Sequence, residues 1–178
     1  TTRRQTQLTQ VFFYHGASDK IAAACALLGG AYAKQKPVLV FAPEKEVASG
    51  VDRMLWTHPA LGFVPHCHGD SPNAAETPIL ITDKLDTLPQ DERLMNLSQI
   101  VPPGFSRFHS LIEVVGQEEA DRNSARERVK FYKDRGYEVP PALLKNALGW
   151  LKSTSGSPGE SLLDERLRAY GTYLLTRS

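Results

Sequence analysis

The densest grouping of reactive side chains is His66-Cys67-His68, two imidazoles around a thiol. On a strand the two histidines share one face. A tetrahedral metal site there needs further ligands, and His15, His58 and His109 are dispersed along the chain. The competing reading is a polar loop edge. Cys67 stands between two bases, but neighbouring strand residues point to opposite faces, so thiol and imidazole are badly placed to exchange a proton. The carboxylate pairs Glu118-Glu119 and Asp91-Glu92 fall in charged, solvated runs. The turn His15-Gly16-Ala17-Ser18-Asp19-Lys20 has neither the three glycines of a dinucleotide fingerprint nor the Gly-Lys-Ser/Thr of a phosphate loop. No Gly-x-Ser-x-Gly elbow occurs. These residues predict no catalytic site, no metal and no cofactor, and no turnover by the chain alone. A small α/β enzyme holding a nucleotide-like ligand at the strand ends is the competing class.

Two other groupings suit binding. Arg122, Arg126, Lys130 and Lys133 recur at helical spacing and line four cations along one stripe. Val129 and Tyr132 lie beside them and could floor a small apolar pocket. The stripe reads either as an ordinary solvated face or as a site for an acidic peptide. The second grouping runs from Val51 to His66. Val51, Met54 and Leu55 sit at helical spacing, and Trp56, Leu61, Phe63, Val64 and Pro65 follow in a segment broken by Pro59 and Gly62. Aromatics clustered on such a segment either fold back as core or form a sticky surface of the kind that anchors protein interfaces.

The elements that must position these groups follow from pattern. Val11–His15, Val38–Phe41, Ile79–Ile81, Arg93–Leu97 and Phe108–Val115 read as strands, several of them continuously apolar as buried parallel strands are. Asp19–Lys34, with Ser18 as its cap, Glu44–Leu55 and Gln117–Arg135 read as helices. Strand and helix alternate, which argues for an α/β fold: a Rossmann-like, mostly parallel sheet with helices on both faces. Thr1–Gln10 reads as a loose arm. Past Val139 the character changes. Pro140-Pro141 is expected to open a helix with an apolar face of Leu143, Leu144, Ala147, Leu148 and Leu151. A Ser/Gly/Pro linker and a second amphipathic run, Ser161–Leu175, complete a C-terminal helical extension over 140–178. The extension either packs back on the 11–139 domain or docks a partner.

Composition narrows the class. A chain of 178 residues suits one domain with a real core, and a formal net charge of +1 carries no global signature of a nucleic-acid binder. Any DNA contact is therefore expected to come from a local patch or from a partner. Two cysteines are too few for a disulfide framework, and Cys25 in an Ala-rich helix reads as buried and reduced, which fits the cytoplasm. No apolar run approaches the roughly 20 residues that span a membrane, and no signal peptide is visible.

The order Asp52, Leu55-Trp56, Phe63-Val64-Pro65-His66 resembles the chi subunit family of the bacterial DNA polymerase III clamp loader. The resemblance begins at Phe12-Phe13-Tyr14. It passes through Ile112-Glu113-Val114-Val115 to Arg126-Glu127-Arg128-Val129-Lys130-Phe131-Tyr132-Lys133 and Gly136-Tyr137, covering roughly residues 11–139. It implies a non-catalytic accessory subunit with two contacts. One surface, carried onto Leu55, Trp56, Phe63, Val64 and Pro65, grips the psi subunit and is expected to recruit a repair helicase in its place, with Asp52 and His66 orienting the loop. The other holds the acidic C-terminal tail of the single-stranded-DNA-binding protein, with Arg122, Arg126 and Lys130 in the basic roles. Val129 stands where an aromatic is expected, and Phe131 or Tyr132 could substitute for it. The resemblance leaves residues 140–178 unexplained.

Overall fold

The computed structural model describes residues 8–57, 63–88 and 90–143. The segment with His58, Pro59, Leu61 and Gly62 lies outside the described residues, as does the chain from Leu144 onward, with the helical runs expected there.

Among the described residues seven strands form one parallel sheet: β1 (Gln10–Ala17), β2 (Val38–Phe41), β3 (His66–His68), β4 (Ile79–Thr82), β5 (Arg93–Asn96), β6 (Ser110–Gly116) and β7 (Pro141–Leu143). Their spatial order is β3-β4-β2-β5-β6-β1-β7. The described α-helices, α1 (Lys20–Ala33), α2 (Lys45–Thr57) and α3 (Glu119–Asp134), complete the α/β fold. β2, β4 and β6 are buried at every position, as parallel strands sandwiched between layers must be.

Alternation along the strands divides the core in two. Val38, Val40, Ile79, Ile81, Met95, Ile112 and Val114 pack under α1 and α2 with Ala24, Leu28, Val51 and Leu55. Leu39, Phe41, Leu80, Leu94 and Leu111 face the other way, toward Tyr132 of α3 and Phe105 and Phe108 of the loop before β6. The small residues of α1 are what let it lie close on the sheet.

Several boundaries differ from the sequence reading, each for a local reason. Asp19, not Ser18, caps α1, its carboxylate accepting from the Ala22 N–H at 3.0 Å. α2 runs to Thr57, so Trp56 belongs to its last turn rather than to a loop. The expected helix opening at Pro140-Pro141 is instead β7, paired parallel with β1 through Phe13–Pro141 and His15–Leu143. Proline suits either a helix start or the first residue of an edge strand, and the open edge of β1 selected the second. The sheet thus extends past Val139. Gly136, at φ 85°, closes α3: its N–H donates to Lys133 O and the Tyr137 N–H to Tyr132 O, both at 3.0 Å. That six-to-one closure needs the left-handed conformation that glycine adopts without strain. It sets Tyr137 against Phe105, 5.3 Å between ring centroids.

Candidate functional site

The last turn of α2 places two consecutive residues in opposite environments. Leu55 is 0% exposed and Trp56 58%. Phe63, 60% exposed, lies beside Trp56 with ring centroids 5.2 Å apart, and the His66 ring meets the indole edge-on at 5.1 Å. The imidazole is fixed from both ends. Nδ1 lies 2.7 Å from the Val64 carbonyl oxygen, which can only accept, so this nitrogen donates. Nε2 faces Asp52 Oδ1 at 3.1 Å. Asp52 is one helical turn before Trp56, so one ring ties α2 to the start of β3 and backs the exposed aromatic pair. Asp52 and His66, expected to orient the loop, are hydrogen-bonded to each other. Leu55 and Val64 do not join the exposed surface. At 0% and 1% exposure they are core, because they occupy the inward positions of the helix and of the segment entering β3. Pro65 is half-buried.

On the opposite layer α3 presents Arg122, Arg126, Lys130 and Lys133 as an exposed row, with Val129 half-buried beside it. Arg126 Nη1 donates to Asn123 Oδ1 at 2.6 Å. Among the described residues no carboxylate pairs with any of the four, so their charge is open to a ligand. The substitution of Phe131 or Tyr132 for an aromatic at position 129 does not hold. Tyr132 is buried with its hydroxyl on Glu113, and Phe131 packs against Phe105 and beneath the Arg135 guanidinium, 3.5 Å from its ring centroid.

Sequence reasoning missed the polar groups beneath α3. Glu113, in the middle of β6, is fully buried and accepts from Tyr132 Oη at 2.6 Å, Asn96 Nδ2 at 2.9 and 3.1 Å, and Arg128 Nε at 3.2 Å. Burial pushes its carboxyl above the usual range, and Arg128, Asn96 and Tyr132 pull it partly back. Arg128 Nη1 continues to Ser124 Oγ at 3.0 Å, and Ser124 Oγ donates to Gln99 Oε1. In the first turn of α3, Asp121 accepts from the Gly116 N–H at 2.6 Å, Gln99 Nε2 at 2.8 Å and Lys20 Nζ at 2.9 Å. A signal existed: a lone carboxylate inside Leu111-Ile112-Glu113-Val114-Val115 must find donors, and Arg128 shares a helical face with Ala125 and Tyr132.

The remaining expected chemistry has a place too. Among the described residues no three His, Cys, Asp or Glu side chains come together to hold a metal ion, and His66 is committed to Asp52. A cleft of about 480 Å³ opens at the C-terminal ends of β2 and β4, lined by Pro43, Lys45, His68, Asp70, Thr82 and Lys84. This is where α/β sheets hold small ligands, but its lining has no glycine-rich phosphate cradle. Among the described residues no helix is long and apolar enough to cross a membrane.

Comparison with known proteins agrees along this span. The family described as DNA polymerase III chi subunit, HolC, matches residues 8–140. The chain is 29% identical over 138 residues to the DNA polymerase III subunit chi of Pseudomonas aeruginosa, covering 74% of this chain and 94% of the relative. It is 30% identical over 118 residues to that of Haemophilus influenzae, covering 65% and 81%. With that of Escherichia coli K12 it shares 25% identity over 122 residues, covering 68% and 83%. Among solved structures, the S. cerevisiae Dbp5 C-terminal domain superposes with a TM-score of 0.53 at 14% identity, covering 90% of this chain and 99% of that one, a likeness of fold alone. The chain therefore belongs to the DNA polymerase III chi subunit family, a component of the polymerase complex with an accessory role in DNA replication.

Proposed function

We propose that this chain is a non-catalytic adaptor that links the clamp loader, through psi, to the acidic C-terminal tail of the single-stranded-DNA-binding protein. The observation that carries the reading is the placement of two open surfaces on opposite layers: the Trp56–Phe63 pair at the end of α2 and the exposed cations of α3. Two partners can then be held at once, and tethering raises their effective concentration without tight individual contacts. Exposed neighbouring aromatics match an apolar partner segment, and a row of arginine and lysine matches carboxylates through charge-assisted hydrogen bonds. DNA is reached through the tail-bearing partner, in the cytoplasm at the replisome. Residues beyond β7, which itself belongs to the sheet, serve as an extension outside this adaptor domain.

Calorimetric titration with an acidic peptide ending in Asp-Ile-Pro-Phe tests the second surface. Losing one arginine bonded to carboxylate removes about 1.5–3 kcal/mol, so Arg126→Ala should bind about tenfold or more weakly, and added salt should weaken the wild type. Equal binding by variant and wild type refutes the assignment.

A further inference from the structure

α3 meets the sheet through charged as well as apolar side chains. Its buried residues are Asp121, Ala125, Arg128 and Tyr132, two of them charged and one an alanine. Apolar burial is non-directional and tolerates a rolled helix, whereas hydrogen bonds lose strength steeply with angle. The helix therefore takes its angular setting from two polar clusters. Asp121 ties the first turn to Gly116, Gln99 and Lys20. Glu113 receives Arg128 and Tyr132 from α3 and Asn96 from β5.

The Glu113–Arg128 pair is not arranged for maximal stability. The Arg128 side chain is 3% exposed, and its buried Nη2 finds no hydrogen-bond partner among the described residues. Buried ion pairs of this kind repay their desolvation poorly against well-packed apolar residues. What the pair supplies is an angle. Arg128 lies two residues from both Arg126 and Lys130, about 200° around the helix. Turning Arg128 inward turns those two outward.

We propose that the buried Glu113–Arg128–Tyr132 cluster positions α3, presenting Arg122, Arg126 and Lys130 as one row to a carboxylate-bearing peptide, while Arg128 itself never touches the peptide. The inference rests on the acidic-tail reading and adds the residues that act through the row.

The test replaces the pair by apolar side chains, Glu113→Leu with Arg128→Met, and reads melting temperature, affinity for the Asp-Ile-Pro-Phe peptide with its salt dependence, and amide exchange along α3. The double variant leaves the buried Tyr132 hydroxyl without its acceptor, so it should stay folded but melt somewhat below the wild type, and bind at least about fivefold more weakly, with a shallower salt dependence and faster exchange in α3. Tyr132→Phe, which keeps its ring against Phe105 and loses only the hydroxyl on Glu113, should weaken binding in the same direction. A folded double variant with wild-type affinity overturns the proposal. If the double variant does not fold, wild-type affinity in Tyr132→Phe overturns it. If the wild type fails to bind the peptide, the acidic-tail reading fails, and unchanged α3 exchange in these variants separately rejects the positioning role.

Discussion

Replacing Trp56 by alanine separates the two jobs a tryptophan can do, holding a fold and holding a partner. The side chain is 58% exposed, so less than half of its surface is at stake in folding. Deleting a buried tryptophan costs about 3–5 kcal/mol. Scaled to the buried share, with the ring contacts to Phe63 and His66 included, the loss is about 1.5–2 kcal/mol. In a domain of this size that lowers Tm by roughly 3–8 °C. The cost to psi binding should be larger, at least about 2 kcal/mol or roughly thirtyfold in Kd, because an exposed aromatic anchor gives its burial to the partner. Leu55→Ala is the control one residue away. Leu55 is 0% exposed, so its truncation should cost about 2–5 kcal/mol of stability. Thermal melts of both variants, with calorimetric titration of psi into each, provide the comparison. The reasoning is refuted if Trp56→Ala loses as much stability as Leu55→Ala, or if it binds psi as the wild type does.

Burial alone would raise the Asp121 carboxyl, but Lys20, the Gly116 N–H and Gln99 outweigh it and hold the group below the usual carboxylate range. A depressed carboxyl contributes stability that is present above its unfolded-state value and lost as pH falls through its folded-state value. The wild-type Tm should therefore drop steeply below about pH 4, and less so in Asp121→Asn, which should already be destabilised at neutral pH. Burial, and then the Asp19 carboxylate, push the Cys25 thiol up to about 12, so thiol reagents on the folded protein should label only half-exposed Cys67, with both cysteines labelled in denaturant by mass spectrometry. Because β7 pairs with β1, a chain ending at Val139 should melt below one ending at Leu143, and equal melting curves would deny β7 a role in the sheet.

The strands and helices were largely legible because their signals are local. Val38–Phe41 and Ile79–Ile81 are unbroken apolar runs, as a strand covered on both faces requires. The cation row was legible for the same reason, since helical spacing alone aligns Arg122, Arg126 and Lys130. The end of α2 was not. Leu55 and Trp56 are adjacent, both apolar, and both inside the segment that suggested a binding surface. Which of them faces the core depends on where the sheet lies beneath the helix.

Residue order by itself determined the alternation that makes a parallel α/β sheet, the absence of a phosphate loop in the first turn, and the periodicity of α3, because each is written in the spacing of neighbouring residues. Only the tertiary structure decided that Pro141 enters a strand, that Val64 is core while Phe63 is surface, and that Glu113 finds Arg128, Tyr132 and Asn96. Those outcomes depend on which groups the fold brings together from 15 to 19 positions away in the chain, or on which strand edge stands open. A desolvated carboxylate must find donors somewhere, but its own neighbours in sequence do not say where.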